Sequence, residues 1–352
     1  MTDFAKRLKS WYLQNKRDLP WRETKDPYKI WLSEIMLQQT RVAQGMPYYF
    51  AFTDAFPTVF DLAAADEQHV LKLWQGLGYY SRARNLHSTA KVIASGLDGI
   101  FPETYTELLH LKGVGEYTAA AIASFSYDEA VPVVDGNVFR VLARYFDIGS
   151  DIALPKTKKE FTALARELMP ADDAATFNQS IMEFGAIQCV PKNPDCAVCV
   201  MNDSCLALKK RKVNELPVKL KKTKISNRHF NYLVFSDADG NTLLQKREGN
   251  GIWQNLYEFP LVETDAEADL SMVSDAVANE VRSMEKINLV PIVHKLSHQH
   301  LYITFWKVET DSIPENGIPV EELSKYPVPI VLHHFMERYF GNEDLFSGAG
   351  SR

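Results

Sequence analysis

Leu111-Lys112-Gly113-Val114-Gly115-Glu116-Tyr117-Thr118-Ala119-Ala120 is the stretch that decides the fold of this 352-residue chain. Two glycines one residue apart, directly before an alanine-rich helical pattern, predict a tight turn that brings bare backbone N–H groups close to a partner. Such a turn at a helix N-terminus suits a phosphate. A lone GxG before a helix is a weak signal, so the rest of the chain has to support it.

An acid follows this turn. Val133-Val134-Asp135-Gly136-Asn137-Val138 begins eighteen residues after Gly115 and leads into a second helical pattern. An aspartate at a helix start is most often an N-cap, whose carboxylate accepts hydrogen bonds from the first backbone N–H groups. The same position also brings a carboxylate near the predicted phosphate contact. Asp135 is therefore a candidate both for a cap and for an active-site acid.

A second acid, Glu34, lies on a helix predicted to open at Asp26-Pro27, with aspartate as the N-cap and proline as the first helical residue. Glu34 stands on the single polar stripe of this helix, among strongly apolar neighbours such as Trp31 and Met36. The simple interpretation is a solvent-facing stripe. The alternative is a desolvated carboxyl group with a raised pKa, which is suited to donate a proton.

Composition favours a globular protein of two domains. The chain has 46% hydrophobic and 24% charged residues and a net charge of −6. Residues 1–16 are amphipathic and interrupted by Lys and Arg, which does not resemble a signal peptide, and no apolar run is long enough to span a bilayer. We expect a cytoplasmic protein without a membrane segment.

Helical patterns fill the first part of the chain and no strand alternation precedes residue 206, so residues 1–208 are predicted to form an all-α domain. A basic linker, 209–228, follows, with seven Lys, two Arg and one Glu; it could lie along a polyanion or be a solvated connection. The period then changes to 2, with helical patterns near 271–284 and 330–340, so 229–343 are predicted to be α+β. Residues 344–352 are predicted to be a disordered tail.

The cysteines form a metal-site pattern. All four fall in one window of seventeen residues at the end of the helical domain, with the spacing Cys189-x6-Cys196-x2-Cys199-x5-Cys205. Four thiolates in a compact loop (189–205) suit tetrahedral zinc or a [4Fe–4S] cluster. Zinc ribbons usually have two short CxxC knuckles, whereas this loop has one, and the spacing favours one [4Fe–4S] cluster.

Together, the glycine turn, the aspartate twenty residues later and the cysteine loop resemble the helix-hairpin-helix DNA glycosylase superfamily that carries an iron–sulfur cluster. Within it, Leu19-Pro20-Trp21-Arg22, the run 33–40 and Gly76-Leu77-Gly78-Tyr79-Tyr80 resemble the MutY family of adenine DNA glycosylases. The resemblance covers nearly the whole chain.

The resemblance implies roles for both acids. Glu34 would protonate adenine N7, and Asp135 would stabilise the oxocarbenium-like sugar, with a logic similar to that of retaining glycosidases. Asn137 would help to hold Asp135 and water. Tyr117 would lie beside the sugar, where the endonuclease III family has a lysine that forms a Schiff base. Because a phenol cannot form an imine, a glycosylase without an efficient lyase step is expected.

The resemblance also implies a set of DNA contacts. Gly113, Val114 and Gly115 would offer backbone amides to a phosphate next to a flipped nucleotide. Arg22 and Glu183 match positions that contact the adenine, although a surface ion pair is the alternative for Arg22. The positions that fill the base stack or touch the opposite base are matched by Gln39, Thr40, Leu77 and Tyr79, with core packing as the alternative for Tyr79.

The second domain resembles the Nudix-related C-terminal domain of the family. Residues 253–260 are similar to the approach to a Nudix box, but the box itself is missing, so magnesium-dependent pyrophosphate hydrolysis is not expected. The family's Phe-Ser-His loop meets 8-oxoguanine, and Leu296-Ser297-His298 stands in its place. Ser297 and His298 keep the polar contacts, whereas Leu296 lacks the aromatic one.

The sequence thus predicts a monomeric, monofunctional adenine glycosylase that acts on double-stranded DNA containing A:8-oxoguanine or A:G in base excision repair. Two other hypotheses remain: a non-catalytic helix-hairpin-helix DNA-binding protein, and a bifunctional endonuclease III-like glycosylase/lyase. The presence of both Glu34 and Asp135 opposes the first, and Tyr117 opposes the second.

Overall fold

The computed structural model describes residues 2–220, 224–275, 277, 281–313 and 317–341. The α-helices are α1 (Asp3–Asn15), α2 (Pro27–Met36), α3 (Val42–Ala55), α4 (Val59–Ala64), α5 (Glu67–Leu73), α6 (Ser81–Gly96), α7 (Tyr105–Leu108), α8 (Glu116–Tyr127), α9 (Gly136–Phe146), α10 (Pro155–Leu168), α11 (Ala174–Glu183), α12 (Leu206–Lys209), α13 (Leu270–Ser274) and α14 (Ile330–Phe340). The strands are β1 (Ser226–Ser236), β2 (Asn241–Thr242), β3 (Gln245–Lys246), β4 (Tyr257–Glu258), β5 (Leu261–Thr264), β6 (Val281–Lys286), β7 (Ile292–Lys295), β8 (Gln299–Thr310) and β9 (Ile318–Pro319).

The chain divides into two compact units that do not follow chain order. One combines Met1–Ala64 with Asn85–Lys221, and the other combines Ala65–Arg84 with Lys222–Arg352. We call them the helical unit and the β-rich unit. Helix α5 and the first turn of α6 therefore belong to the β-rich unit, although the sequence places them inside the predicted helical domain 1–208.

The helical unit is built around apolar faces of α1, α9 and α11. Leu8 of α1, Leu142 of α9 and Ile181 of α11 are almost fully buried in one cluster. Burying a side chain of this size contributes about 1.5–3 kcal/mol. The described residues before 206 contain no strand, which confirms the predicted all-helical class of this part of the chain.

The β-rich unit has a five-stranded sheet as its framework. Strands run in the order β5-β1-β8-β6, and β7 also pairs with β8. Strand β1 pairs with β8 in parallel, while β5, β6 and β7 join antiparallel. This sheet and the flanking helix α14 confirm the predicted α+β class.

One predicted helix of this unit is right only at its start. The pattern near 271–284 predicts a helix, but among the described residues of this range α13 ends at Ser274, and residues 281–286 form β6 against β8. Backbone pairing with the long β8 outweighs the local periodicity, because β propensity depends on neighbouring strands. Residues 276 and 278–280 lie outside the described residues, as do 221–223 of the predicted linker and the whole predicted tail, 344–352.

Within the described residues, no helix combines the length and apolar character that crossing a bilayer requires.

Candidate active site

Helix α2 carries Glu34 into the helical unit on a nearly continuous buried surface. Asp26 caps the helix by accepting a hydrogen bond from the Tyr28 backbone N–H at 2.9 Å, and Pro27 opens it. From Ile30 to Met36 every residue is buried. Glu34 is only 7% exposed, so its carboxyl group does not lie on a solvent-facing stripe.

Tyr117 is the direct partner of Glu34. The Tyr117 hydroxyl donates a hydrogen bond to Glu34 Oε2 at 2.7 Å. Burial raises the pKa of Glu34 to about 7, the Tyr117 hydrogen bond opposes this rise, and the negative charge of Asp135 adds to it. Burial, together with the charge of Glu34, also raises the pKa of Tyr117 well above its usual range. Glu34 therefore carries an exchangeable proton near neutral pH, beside a phenol that stays protonated.

Asp135 is the N-cap of α9, as the simple interpretation of the sequence predicts. Its Oδ1 accepts hydrogen bonds from the backbone N–H groups of Asn137 and Val138 at 2.9 and 2.8 Å. Its Oδ2 accepts another from Asn137 Nδ2 at 2.7 Å. Burial raises the pKa of Asp135, and these three hydrogen bonds oppose the rise by stabilising the carboxylate. The two carboxyl groups thus differ in their partners: Glu34 accepts one hydrogen bond from a phenol, whereas Asp135 accepts three from N–H groups, which favour its charged form.

Arg140 and Gly185 hold Asn137, the side chain that donates to Asp135, and the sequence predicted neither of them. Arg140 donates hydrogen bonds to Asn137 Oδ1 at 2.8 Å and to the Gly185 carbonyl at 2.6 Å. Gly185 lies in a π-helical segment, Phe184–Gln188, and a Cβ there would stand 2.7 Å from Asn137 Cβ. The close approach requires glycine, but without the three-dimensional pairing nothing in the sequence singles out either residue.

The hairpin turn has the geometry that the glycine pattern predicts. Gly113 has φ +78°, and a Cβ there would meet Asn85 Cβ at 2.8 Å. Val114 is buried and its N–H donates to the Leu111 carbonyl at 3.1 Å. Gly115 is the N-cap of α8 and makes no side-chain cap hydrogen bond, and a Cβ there would meet no atom within 4 Å. The first N–H groups of a helix suit an anion.

Glu183 and Arg22 lie together, but as an ion pair. Glu183 is fully buried; Arg17 donates to both of its carboxylate oxygens, and Arg22 donates to Oε2 at 2.7 Å. Burial alone would raise the pKa of Glu183, but the hydrogen bonds from Arg17 and Arg22 outweigh it and lower the pKa to about 2. Arg17 is a member of this group that sequence analysis missed, because an arginine near the N-terminus carries no signal of its own.

The remaining predicted DNA-contact residues lie in two turns, one in each unit. Gln39 is exposed and has φ +58°, directly after α2, and the Thr40 N–H donates to the Leu37 carbonyl at 3.1 Å. In the β-rich unit, Tyr79 has φ +49° and is 44% exposed, whereas Leu77 is 4% exposed. Tyr79 is thus not a core aromatic residue, and Leu77 is buried in this structure.

The four cysteines line one pocket. Cys189, Cys196, Cys199 and Cys205 surround it together with apolar side chains such as Val141. An Arg144 guanidinium N–H lies 3.4 Å from Cys189 Sγ, and the Met201 backbone N–H lies 3.4 Å from Cys199 Sγ. In the part of the chain that the structure describes, no three His, Cys, Asp or Glu side chains are already arranged as a metal-binding group.

Ser297 and His298 are exposed in the β-rich unit, in the turn between β7 and β8. The Leu296 N–H donates to the Gln299 carbonyl at 2.8 Å and closes the turn. Ser297 Oγ lies 3.2 Å from His298 Nδ1, and Gln299 Nε2 lies 2.7 Å from His298 Nε2. The polar groups of this turn are available to a partner.

Each of the two parts of the chain matches a family model. Residues 32–171 match the HhH-GPD superfamily base excision DNA repair protein model, and residues 231–338 match the NUDIX domain model. A solved thermostable thymine-DNA glycosylase is 32% identical, with a TM-score of 0.55 over 59% of this chain and 95% of that one. An endonuclease III in complex with DNA has a TM-score of 0.51 at 20% identity, a similarity in fold alone. The fold and these matches thus define a helix-hairpin-helix DNA glycosylase.

Curated relatives make the assignment more specific. The adenine DNA glycosylase of Buchnera aphidicola subsp. Schizaphis graminum is 35% identical over 85% of this chain and 86% of its own length. The human adenine DNA glycosylase is 43% identical over 59% of this chain and 40% of its own length. The chain belongs to the adenine DNA glycosylase family and is an adenine-specific DNA N-glycosylase.

Proposed function

We propose that the protein is a monofunctional glycosylase that removes adenine paired with 8-oxoguanine or guanine, and leaves the DNA strand intact. The observation that carries this proposal is the 2.7 Å hydrogen bond between Tyr117 and Glu34. A general acid needs a pKa near the working pH, which burial gives Glu34. The residue beside it is a phenol, which cannot form the Schiff base that a lyase step requires.

The reaction divides between the two carboxyl groups. Glu34 donates its proton to adenine N7, so that the base leaves as a neutral molecule. The Asp135 carboxylate, held by Asn137 and Val138, stabilises the positive charge that develops on the sugar. Asn137 and, behind it, Arg140 fix the orientation of Asp135. A water molecule then adds its hydroxyl group to the sugar C1′, and the proton that it releases returns to the Glu34 carboxylate, which regenerates the acid.

The other predicted site residues contact the substrate DNA. Backbone N–H groups of Gly113 and Gly115 hold a phosphate next to the extruded nucleotide, while the Val114 N–H closes the turn on the Leu111 carbonyl. Arg22 and Glu183 read the adenine, with Arg17 fixing the buried carboxylate. In the duplex, the stack and the opposite base are contacted by Gln39, Thr40, Leu77 and Tyr79. Ser297 and His298 recognise 8-oxoguanine.

A [4Fe–4S] cluster fits the four cysteines. Their side chains share one pocket with apolar walls, and N–H donors already reach two of the sulfur atoms, as cluster thiolates require. When bound, such a cluster would tie the loop 189–205 to the helical unit. The purified protein should absorb broadly near roughly 400 nm, from thiolate-to-iron charge transfer. A colourless protein that contains zinc would contradict the cluster.

We further infer that the protein is a monomer and works at the nucleoid, where its DNA substrate lies. The net charge of −6 does not oppose DNA binding, because the linker 209–228 has a local excess of basic residues, seven Lys and two Arg against one Glu. This segment is a candidate contact with the phosphate backbone. Lys-to-Gln changes in it should flatten the salt dependence of duplex binding.

One experiment separates the three hypotheses. An A:8-oxoguanine duplex is incubated with the protein, and free adenine is measured together with strand breaks before and after alkali. Adenine release with breaks only after alkali supports the proposal. Binding without release would indicate a non-catalytic DNA-binding protein, and breaks before alkali would indicate a glycosylase/lyase.

A further inference from the structure

Residues 65–84 hold the turn that carries Leu77 and Tyr79, and this segment belongs to the β-rich unit. The matched HhH-GPD region, 32–171, contains the same segment. The family model and the compact units therefore divide the chain differently at this point. The turn 76–80 contains Leu77 and Tyr79, which we assign to duplex contact, as we do the turn 296–298 of the same unit.

The turn is shaped by three side chains of its own segment. Trp74 Nε1 donates to the Gly78 carbonyl at 3.0 Å, and Arg82 donates to the same carbonyl at 3.0 Å. The Arg82 guanidinium lies over the Trp74 ring at 5.2 Å and over the Tyr79 ring at 5.5 Å. The Tyr80 hydroxyl accepts a hydrogen bond from the Gly76 N–H at 3.3 Å. These contacts fix Tyr79 in its left-handed backbone conformation.

Hydrogen bonds then anchor α5, before the turn, to the C-terminal sequence of the β-rich unit. Asn255 Nδ2 donates to Glu67 Oε1 at 2.6 Å, and Gln68 Nε2 donates to the Tyr257 hydroxyl at 2.8 Å. Two more run from Lys72 Nζ to the Tyr326 carbonyl at 3.2 Å and from the Val328 N–H to Gln75 Oε1 at 3.1 Å.

The other side of the turn is anchored to the same C-terminal segment. Arg84 donates to the Gln254 carbonyl at 2.8 Å and to Gln254 Oε1 at 3.2 Å. The turn therefore has fixed points both before and after it. Hydrogen bonds on both sides of a short turn restrict its orientation as well as its position relative to residues 254–257.

Residues 253–257 form a tight loop whose backbone conformation exposes groups to the segment 65–84. Trp253 and Asn255 both have positive φ, +62° and +66°, a conformation that is uncommon for residues other than glycine. The Asn255 N–H donates to the Arg247 carbonyl at 2.8 Å, and the Leu256 N–H donates to the Trp253 carbonyl at 3.0 Å. This tight loop directs the Gln254 carbonyl and the Asn255 amide towards the segment 65–84. The loop lies within the region 231–338 that matches the NUDIX domain model.

We propose that residues 253–257 are the anchor of the turn 76–80, so that the C-terminal domain positions Leu77 and Tyr79 for duplex contact. This role is additional to lesion recognition by Ser297 and His298. It rests on the proposed function, because it assumes that Leu77 and Tyr79 contact the substrate duplex. Gln254, Asn255 and Tyr257 are positioning residues that act through Tyr79.

The pair Glu67–Asn255 allows a test in which the carboxylate and the amide exchange positions in the full chain. Asn255→Asp places two carboxylates against each other and keeps a residue that tolerates positive φ. We expect duplex affinity for A:8-oxoguanine to fall about tenfold, the equivalent of one hydrogen bond to a charged group. Adding Glu67→Gln restores a donor and an acceptor, so the double variant should recover most of the affinity. Failure of the double variant to recover it would contradict the anchor.

The matched control is Asn241→Asp. Asn241 Nδ2 donates to Asp237 Oδ2 at 3.2 Å, so the change creates the same carboxylate pair elsewhere in the β-rich unit. We expect it to leave duplex affinity unchanged, whatever it does to thermal stability. An equal loss of affinity in this control would show that Asn255→Asp acts through general destabilisation. If Asn255→Asp does not fold, Tyr257→Phe removes the bond to Gln68 while keeping the ring, and should weaken binding severalfold.

A double-mutant cycle with Tyr79→Ala decides whether the anchor acts through the turn. If it does, Asn255→Asp should have little further effect on duplex affinity once Tyr79 is alanine. Effects that simply multiply would overturn the proposal. Duplex binding answers this question even if the wild-type protein releases no adenine, which would instead contradict the proposed function.

Discussion

The pocket of Glu34 and the turn of Ser297 and His298 are opposite kinds of site. Glu34 is almost fully buried and its carboxyl group is already bound by Tyr117. The turn 296–298 is on the surface, and its side-chain contacts are made between adjacent residues. A reaction needs charged groups fixed before the substrate arrives, whereas recognition of one base in a duplex needs polar groups that remain accessible. Changes in the pocket should therefore affect rate, and changes in the turn should affect preference.

Glu34→Gln should have the largest effect. Glutamine keeps the shape and can still accept the Tyr117 hydrogen bond, but it cannot donate an acidic proton to adenine. The single-turnover rate of adenine release should fall by about 10³-fold or more. Duplex affinity, measured in parallel, serves as the control and should stay within about twofold of wild type. Normal turnover would remove Glu34 from the role of acid.

Asp135→Asn should be nearly as severe. Asparagine is as good an N-cap as aspartate, so α9 should keep its stability. The neutral amide cannot stabilise positive charge on the sugar, and the rate should fall by about 10²–10³-fold. Thermal unfolding distinguishes the two roles of Asp135: a protein that loses stability but keeps its rate would make this residue a cap alone.

Tyr117→Phe should mainly move the pH profile. The Tyr117 hydroxyl stabilises the charged form of Glu34, so its removal should raise the pKa of this carboxyl group above about 7. One hydrogen bond of about 1 kcal/mol corresponds to a shift of about 0.7 pH units. The high-pH limb of the single-turnover rate should move upward by this amount. A downward shift would mean that the phenol does not donate to Glu34 in the working enzyme.

Ser297→Ala should have the smallest effect and should act on preference alone. The hydroxyl is exposed in the 296–298 turn, and losing one neutral hydrogen bond costs about 1 kcal/mol. The ratio of adenine release from A:8-oxoguanine and A:G duplexes should fall severalfold, with the A:G rate unchanged. An unchanged ratio would remove Ser297 from lesion recognition.

Local sequence signals were sufficient where a residue's role depends on its neighbours in the chain. The turn at Gly113 and the cap at Asp135 follow from backbone conformation and local hydrogen bonds, and both agree with the structure. Local signals were not sufficient to predict the burial of Glu34, because a polar stripe on a helix is usually exposed. Its true environment depends on Tyr117, 83 residues away in the chain.

Long-range pairs were not predictable from the sequence. Arg17 and Arg140 act through partners 166 and 45 residues distant, Glu183 and Gly185, and neither belongs to a motif. The strand at 281–286 was predicted as a helix because its pairing with β8 has no local signature. Residues 65–84 appear helical from their pattern, yet only three-dimensional contacts place them in the β-rich unit.

The pH dependence of single-turnover adenine release by the wild-type protein, from pH 5 to pH 9 on an A:8-oxoguanine duplex, tests the central claim most directly. If protonated Glu34 is the acid, the rate falls about tenfold per pH unit above the Glu34 pKa of about 7. A rate that stays level up to pH 9 would contradict the assignment of Glu34 as the proton donor.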